Sequence, residues 1–135
     1  MIRVVPIDNN LSGDLAAFVD SFISANLGEV KAADKAWSVY SQDGETVKIL
    51  GFCACNIGNR IADVPVYHVL EGETRPEKAE SMRAHEALFA RVTGFISDMG
   101  IREALFYIAP EAQEHWKEFQ KKVNGKPAHR FVMEV

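Results

Sequence analysis

The chain has 135 residues, 47% of them hydrophobic and 25% charged, with a formal net charge of −4. That size and balance describe one domain, 1–135, able to bury an ordinary core. The acidic balance argues against a dedicated nucleic-acid binder, and no apolar run approaches the roughly 20 residues that cross a bilayer.

In chain order, IRVVPI (2–7) reads as a first strand, ended by Pro6 and a polar DNN. Leu15, Phe18, Val19, Phe22, Ile23 and Leu27 then recur at helical spacing, with Gly28 as a stop. Residues 29–36 are polar and fit a loop or a short helix. WSVYS (37–41), the turn QDGE (42–45) and TVKILGFCACNI (46–57) form an antiparallel pair, and VPVYHVL (64–70) follows a GNR turn as the next strand. Ala84, Leu88, Val92, Phe95, Ile96 and Met99 make one stripe of a long helix closed by Gly100. EALFYIA (103–109) is a short strand. Pro110 opens a helix over 111–123 with Trp116, Phe119 and Val123 on one side, Asn124-Gly125 turns the chain, and HRFVMEV (129–135) is the last strand.

The opening MIRVVPIDNN has neither the basic nor the apolar segment of a secretory leader. Cys53 and Cys55, two apart on one strand, do not suit a disulfide. A reducing, cytoplasmic setting is the expectation, with no membrane partner. Lys117, Lys121, Lys122, Lys126 and Arg130 crowd the C-terminal region, and a solvated helix face accounts for them better than nucleic acid does.

The order β-α-β-β-β-α-β-α-β, with the phrase SDMGIREALFYIAPEAQEHWKEFQKKVNG (97–125), resembles the GNAT superfamily of acetyl-CoA-dependent N-acetyltransferases. The resemblance implies an α/β (α+β) fold: a mixed, mostly antiparallel central sheet with helices on both faces. It implies transfer of acetyl from acetyl-CoA to an amine, without a metal. The strand matching VPVYHVL would part from its neighbour and hold the pantetheine arm, which makes Val69 and Leu70 candidate contacts. The following loop, Q/R-x-x-G-x-G/A in the family, would wrap the pyrophosphate with backbone N–H groups.

This sequence departs from that loop. Counting forward from the strand, Arg75, Lys78 and Glu80 take its three marked positions; counting back from Gly100, the two small-residue positions fall on Arg83 and His85. Neither register holds a glycine. Two helix starts compete. Thr74-x-x-Glu77 is a capping box with Pro76 in the first turn, and it sets Glu77 and Glu80 against an arriving phosphate. A start near Ser81 would instead offer Arg83 and His85 as cationic phosphate contacts.

His68 and Glu71, at the strand's end, are the candidate general bases, and strand alternation sends them to opposite faces. The family's acid, a tyrosine on the last helix, falls on Gln120, or on Phe119 with a one-residue slip, and neither can serve; Tyr107 and Tyr67 are alternatives only with a geometry unlike the family pattern. Cys53, Cys55 and His68 fall short of a zinc signature. Trp37, Tyr40, Trp116 and Phe119 read as core or rim aromatics, and His85 beside the apolar stripe fits a packed histidine as well as a phosphate ligand. Two readings of function therefore stand. One is an enzyme acting on a small-molecule or peptide amine. The other is a non-catalytic GNAT-fold protein, of the kind some phages encode, that works through a protein partner. A single strand after the last helix leaves a sheet edge, which makes a homodimer a candidate state.

Overall fold

A computed structural model of the chain describes residues 1–7, 33–108, 116–119 and 132–134. Its elements are β1 (Ile2–Pro6), β2 (Lys35–Asp43), β3 (Thr46–Ile57), β4 (Ile61–Val69), α1 (Arg75–Asp98), β5 (Glu103–Ile108) and β6 (Val132–Glu134). Residues 116–119 form a helical turn. The helix expected over 15–27 and the Asn124-Gly125 turn lie outside the described residues. β4 begins three residues earlier than its apolar pattern suggests, because Ile61 already pairs with Glu103 of β5 and Ala62 with both Ile57 and Ala104.

The six strands lie side by side in chain order. β1 to β4 pair antiparallel, while β4–β5 and β5–β6 are parallel. The change of sense has a covalent cause: short turns join β2 to β3 and β3 to β4, whereas a parallel neighbour needs a crossover such as α1. At the β2–β3 turn Gly44 has φ +60°, the conformation that the primed hairpin turns require at their first position.

α1 packs on one face of the sheet. Its buried Ala84, Leu88, Val92 and Ile96 meet Trp37, Val39, Cys53, Cys55, Val64 and Phe106. Gly100 has φ +78°, Ile101 N–H bonds the Ile96 carbonyl at 3.2 Å and Gly100 N–H bonds that of Ser97 at 2.9 Å. This is a Schellman closure with its customary apolar contact, since Ile96 and Ile101 share the core. The opposite face carries a second buried group, Ala36, Phe52, Ala54 and Val66, with Ile7 and Ala33 against it. No helix among the described residues is long and apolar enough to cross a membrane.

Candidate active site at the open end of β4 and β5

β4 pairs with β5 from Ile61–Glu103 to Val64–Phe106, and there the pairing stops. Both strands continue, β4 to Val69 and β5 to Ile108, and β5 keeps its bonds to β6 over that length. The two strands therefore part. The cause lies in β4 itself. Between Val66, opposite Ala54, and Asp63, opposite Asn56, β4 carries one residue more than β3. The bulge includes Pro65, which has no N–H for either neighbour. It also reverses the alternation: Ala62 and Val64 point into the α1-side core, and so do Tyr67 and Val69.

Beyond the bulge the backbone can be assigned. Leu70 N–H bonds the Leu50 carbonyl at 2.7 Å. Antiparallel alternation then turns Leu70, His68 and Val66 toward β3, and Tyr67 and Val69 toward the gap left by β5. Leu70, expected as a pantetheine contact, has both backbone groups engaged, because Ser81 Oγ donates to its carbonyl at 2.6 Å. Val69 and Tyr67 turn their backbone groups toward the gap.

The long helix starts early. Thr74 is the N-cap, with Pro76 in the first turn. Thr74 Oγ1 accepts the Glu77 N–H at 3.3 Å, and Glu77 Oε2 accepts the Glu73 N–H at 3.3 Å. The bond from the Glu73 N–H, and next the contact with Thr74, hold the Glu77 carboxyl below its ordinary range. Gly72, the loop's one glycine, lies against this cap: a Cβ there would fall on the Glu77 carbonyl and Cβ. The loop's glycine makes room for Glu77 to close the helix end. A pyrophosphate does not fit here, since a resident carboxylate already takes the amide and faces the positive end of the helix.

The candidate cations are placed apart. Arg75 is exposed at the helix start. Arg83 lines a groove on the β1 side of α1 with Met1, Ile2, Asp43, Glu80 and Glu86, away from the β4–β5 gap. His85 is 3% exposed. It stacks on Phe119 at 4.9 Å and on Tyr67 at 5.8 Å between ring centroids. With the helix starting at Arg75, His85 stands in its third turn, inside the core. This corrects the expectation of a phosphate contact there, and the reason is packing.

Tyr67 donates from Oη to the His85 carbonyl at 3.2 Å, with His85 Nδ1 at 3.4 Å. Its ring meets Trp116 edge-on at 5.1 Å and Phe106 at 5.7 Å. Burial pushes its hydroxyl well above the usual range. Phe119, at one of the two positions where the family would place its acid, is a core residue against His85 and Phe89. Gln120 lies outside the described residues. His68 points to the face opposite α1, partly buried and 6.0 Å from Phe52 between ring centroids. Glu71 is exposed in the loop beyond β4. The two candidate bases are thus not brought together. Cys53 and Cys55 share the α1 face, and burial raises both thiols, Cys55 to about 12. Among the described residues no group of three or more metal-ligating side chains forms.

The fold aligns with that of a solved structure over nearly its whole length. The match to AAC(6')-Iy, a GNAT acetyltransferase solved with the bisubstrate analogue CoA-S-monomethyl-acetylneamine, has a TM-score of 0.50 at 15% identity, covering 98% of this chain and 96% of that one. The fold is GNAT-like. A second match, to a functionally unknown conserved protein from Staphylococcus epidermidis, has a TM-score of 0.34 at 11% identity, covering 66% of this chain and 39% of that one. No family model matches the sequence, and no curated protein matches it.

Tyr67 escaped the sequence reading as a backbone contributor because a bulge moves the alternation by one. Pro65 inside an otherwise regular strand was the available signal.

Proposed function

We propose that the chain is a GNAT-type N-acyltransferase that moves an acetyl group from a thioester donor, acetyl-CoA in the family, to a small-molecule or peptide amine. The observation that carries this reading is the parting of β4 from β5 after Val64–Phe106, with the backbone of Tyr67 and Val69 turned into the gap. Among the described residues the end of β4 has no strand partner on the β5 side, and buried backbone groups need partners. A donor with an amide-bearing arm supplies them. The amine must lose a proton as it attacks, and His68, on the sheet face away from α1, is the residue proposed to take it. Glu71, exposed in the following loop, is the secondary candidate.

The test is amine-dependent release of thiol from acetyl-CoA and from S-acetylpantetheine, with a panel of small and peptide amines. Turnover is expected with at least one donor, falling by about 100-fold in His68→Asn. The absence of amine-dependent thiol release from both donors would overturn the reading. The non-catalytic alternative, a GNAT-fold protein that binds a protein partner, draws on one observation, the Glu77 carboxylate closing the helix end.

A further inference from the structure

We infer, resting on the acyl-transfer reading, that the donor is recognised by its pantetheine arm and not by its nucleotide: the site takes an S-acyl pantetheine thioester, and the 3′-phospho-ADP of CoA contributes no binding.

The gap and the helix end make opposite demands. The gap offers N–H and C=O groups from Tyr67 and Val69 at strand spacing, which match a neutral chain of amides. The helix end has exposed Arg75 and Lys78, but its capping amides are already taken. Its first-turn donor Glu77 N–H goes to Thr74 Oγ1, and the loop N–H of Glu73 goes to Glu77 Oε2. Gly72 is closed against Glu77, so the loop backbone cannot fold around an anion without opening the cap.

Charge points the same way. Residues 70–80 hold four carboxylates, Glu71, Glu73, Glu77 and Glu80, against Arg75 and Lys78. Lys48 reaches this stretch, but its ammonium lies on Glu80 at 3.3 Å. Arg83 faces the groove beside β1, and His85 is enclosed by Tyr67 and Phe119. Among the described residues no cluster of cations borders the gap, while a nucleotide with several phosphate charges would enter a field of its own sign. A pantetheine thioester carries none of that charge, and a carrier-borne arm carries one phosphodiester.

The experiment is an amide chemical-shift titration of the full chain with four probes: pantetheine, 4′-phosphopantetheine, CoA and adenosine 3′,5′-bisphosphate. Pantetheine is expected to move the Tyr67 and Val69 amides and to bind within about threefold of CoA, with the bisphosphate silent. Phosphopantetheine equal to pantetheine would identify a carrier-borne arm as a usable source, and a weaker phosphopantetheine would identify the free thioester; both support the inference. CoA tighter than pantetheine by tenfold or more, with the bisphosphate competing, would overturn it and leave the acyl-transfer reading intact. No binding of either pantetheine or CoA would overturn that reading together with this one. Glu77→Gln keeps an acceptor at the cap and removes the charge. It is expected to strengthen CoA by about threefold while leaving pantetheine unchanged. An unchanged CoA affinity would overturn Glu77's part.

Discussion

Tyr67 carries two jobs on one residue. Its backbone faces the gap between β4 and β5, and its side chain is locked into the aromatic group around His85. Tyr67→Phe keeps the ring and removes the bond to the His85 carbonyl, so thermal or denaturant unfolding should show a loss of about 1 kcal/mol. The buried thiols make a separate statement about pH. Burial raises Cys53, Cys55 and Tyr67 in the folded chain. The unfolded chain ionises them first, so their contribution is fully present below the ordinary thiol range and is lost as pH rises above it. Denaturation midpoints should therefore fall steadily from about pH 9 upward. A flat profile there would count against three buried, protonated groups. The same burial predicts that a thiol reagent at pH 8 labels neither cysteine until the chain unfolds.

Elements were legible to different degrees, and particular residues say why. The Thr74-x-x-Glu77 signature was visible because capping is local chemistry: the Thr74 bond to the Glu77 N–H forms, while the returning Glu77 carboxylate takes the Glu73 N–H, one residue before the cap. Thr74→Ala is expected to cost about 1 kcal/mol in thermal unfolding. The strands were found from β-branched runs and turn residues, but β4 was cut short at Ile61, where Asp63 breaks the apolar pattern. His85 could not be settled from the sequence. Helical spacing places it beside the buried stripe, and only the start at Arg75 decides whether that means core or phosphate. Gly51 is a case that no propensity announces. It lies where β3 and β4 approach so closely that a Cβ would fall on the His68 carbonyl, with Val69 just behind. Gly51→Val should push the two strands apart beside the candidate base. The expected result is a destabilisation of at least about 2 kcal/mol by chemical denaturation, and a wild-type midpoint would show that the strands can yield.

At the scale of the whole molecule the two sheet edges are unequal. On β1, Ile7 N–H bonds the Ala36 carbonyl and Gln42 N–H bonds that of Met1, so alternation turns Ile2, Val4 and Pro6 outward. Pro6 has no N–H, which blunts that edge. Among the described residues β6 pairs only with β5. Its outer side is the edge that a second copy would complete, and light scattering is expected to give the mass of a dimer; a monomeric mass at high concentration would retire that expectation. The sequence foresaw a mixed sheet with a long helix against it, because hydrophobic period and turn chemistry are written locally. Where two parallel strands separate is not local, since it depends on one surplus residue in β4. Pro65 acts there as a change of reading frame. Upstream of it, every even-numbered side chain of the strand faces α1; downstream, every odd-numbered one does. Deleting that one residue would restore plain alternation and leave Tyr67 and Val69 facing α1. Running all the same letters without the bulge would instead turn His68 toward α1 and send Tyr67 to the opposite side of the sheet, the same spelling in a different phase.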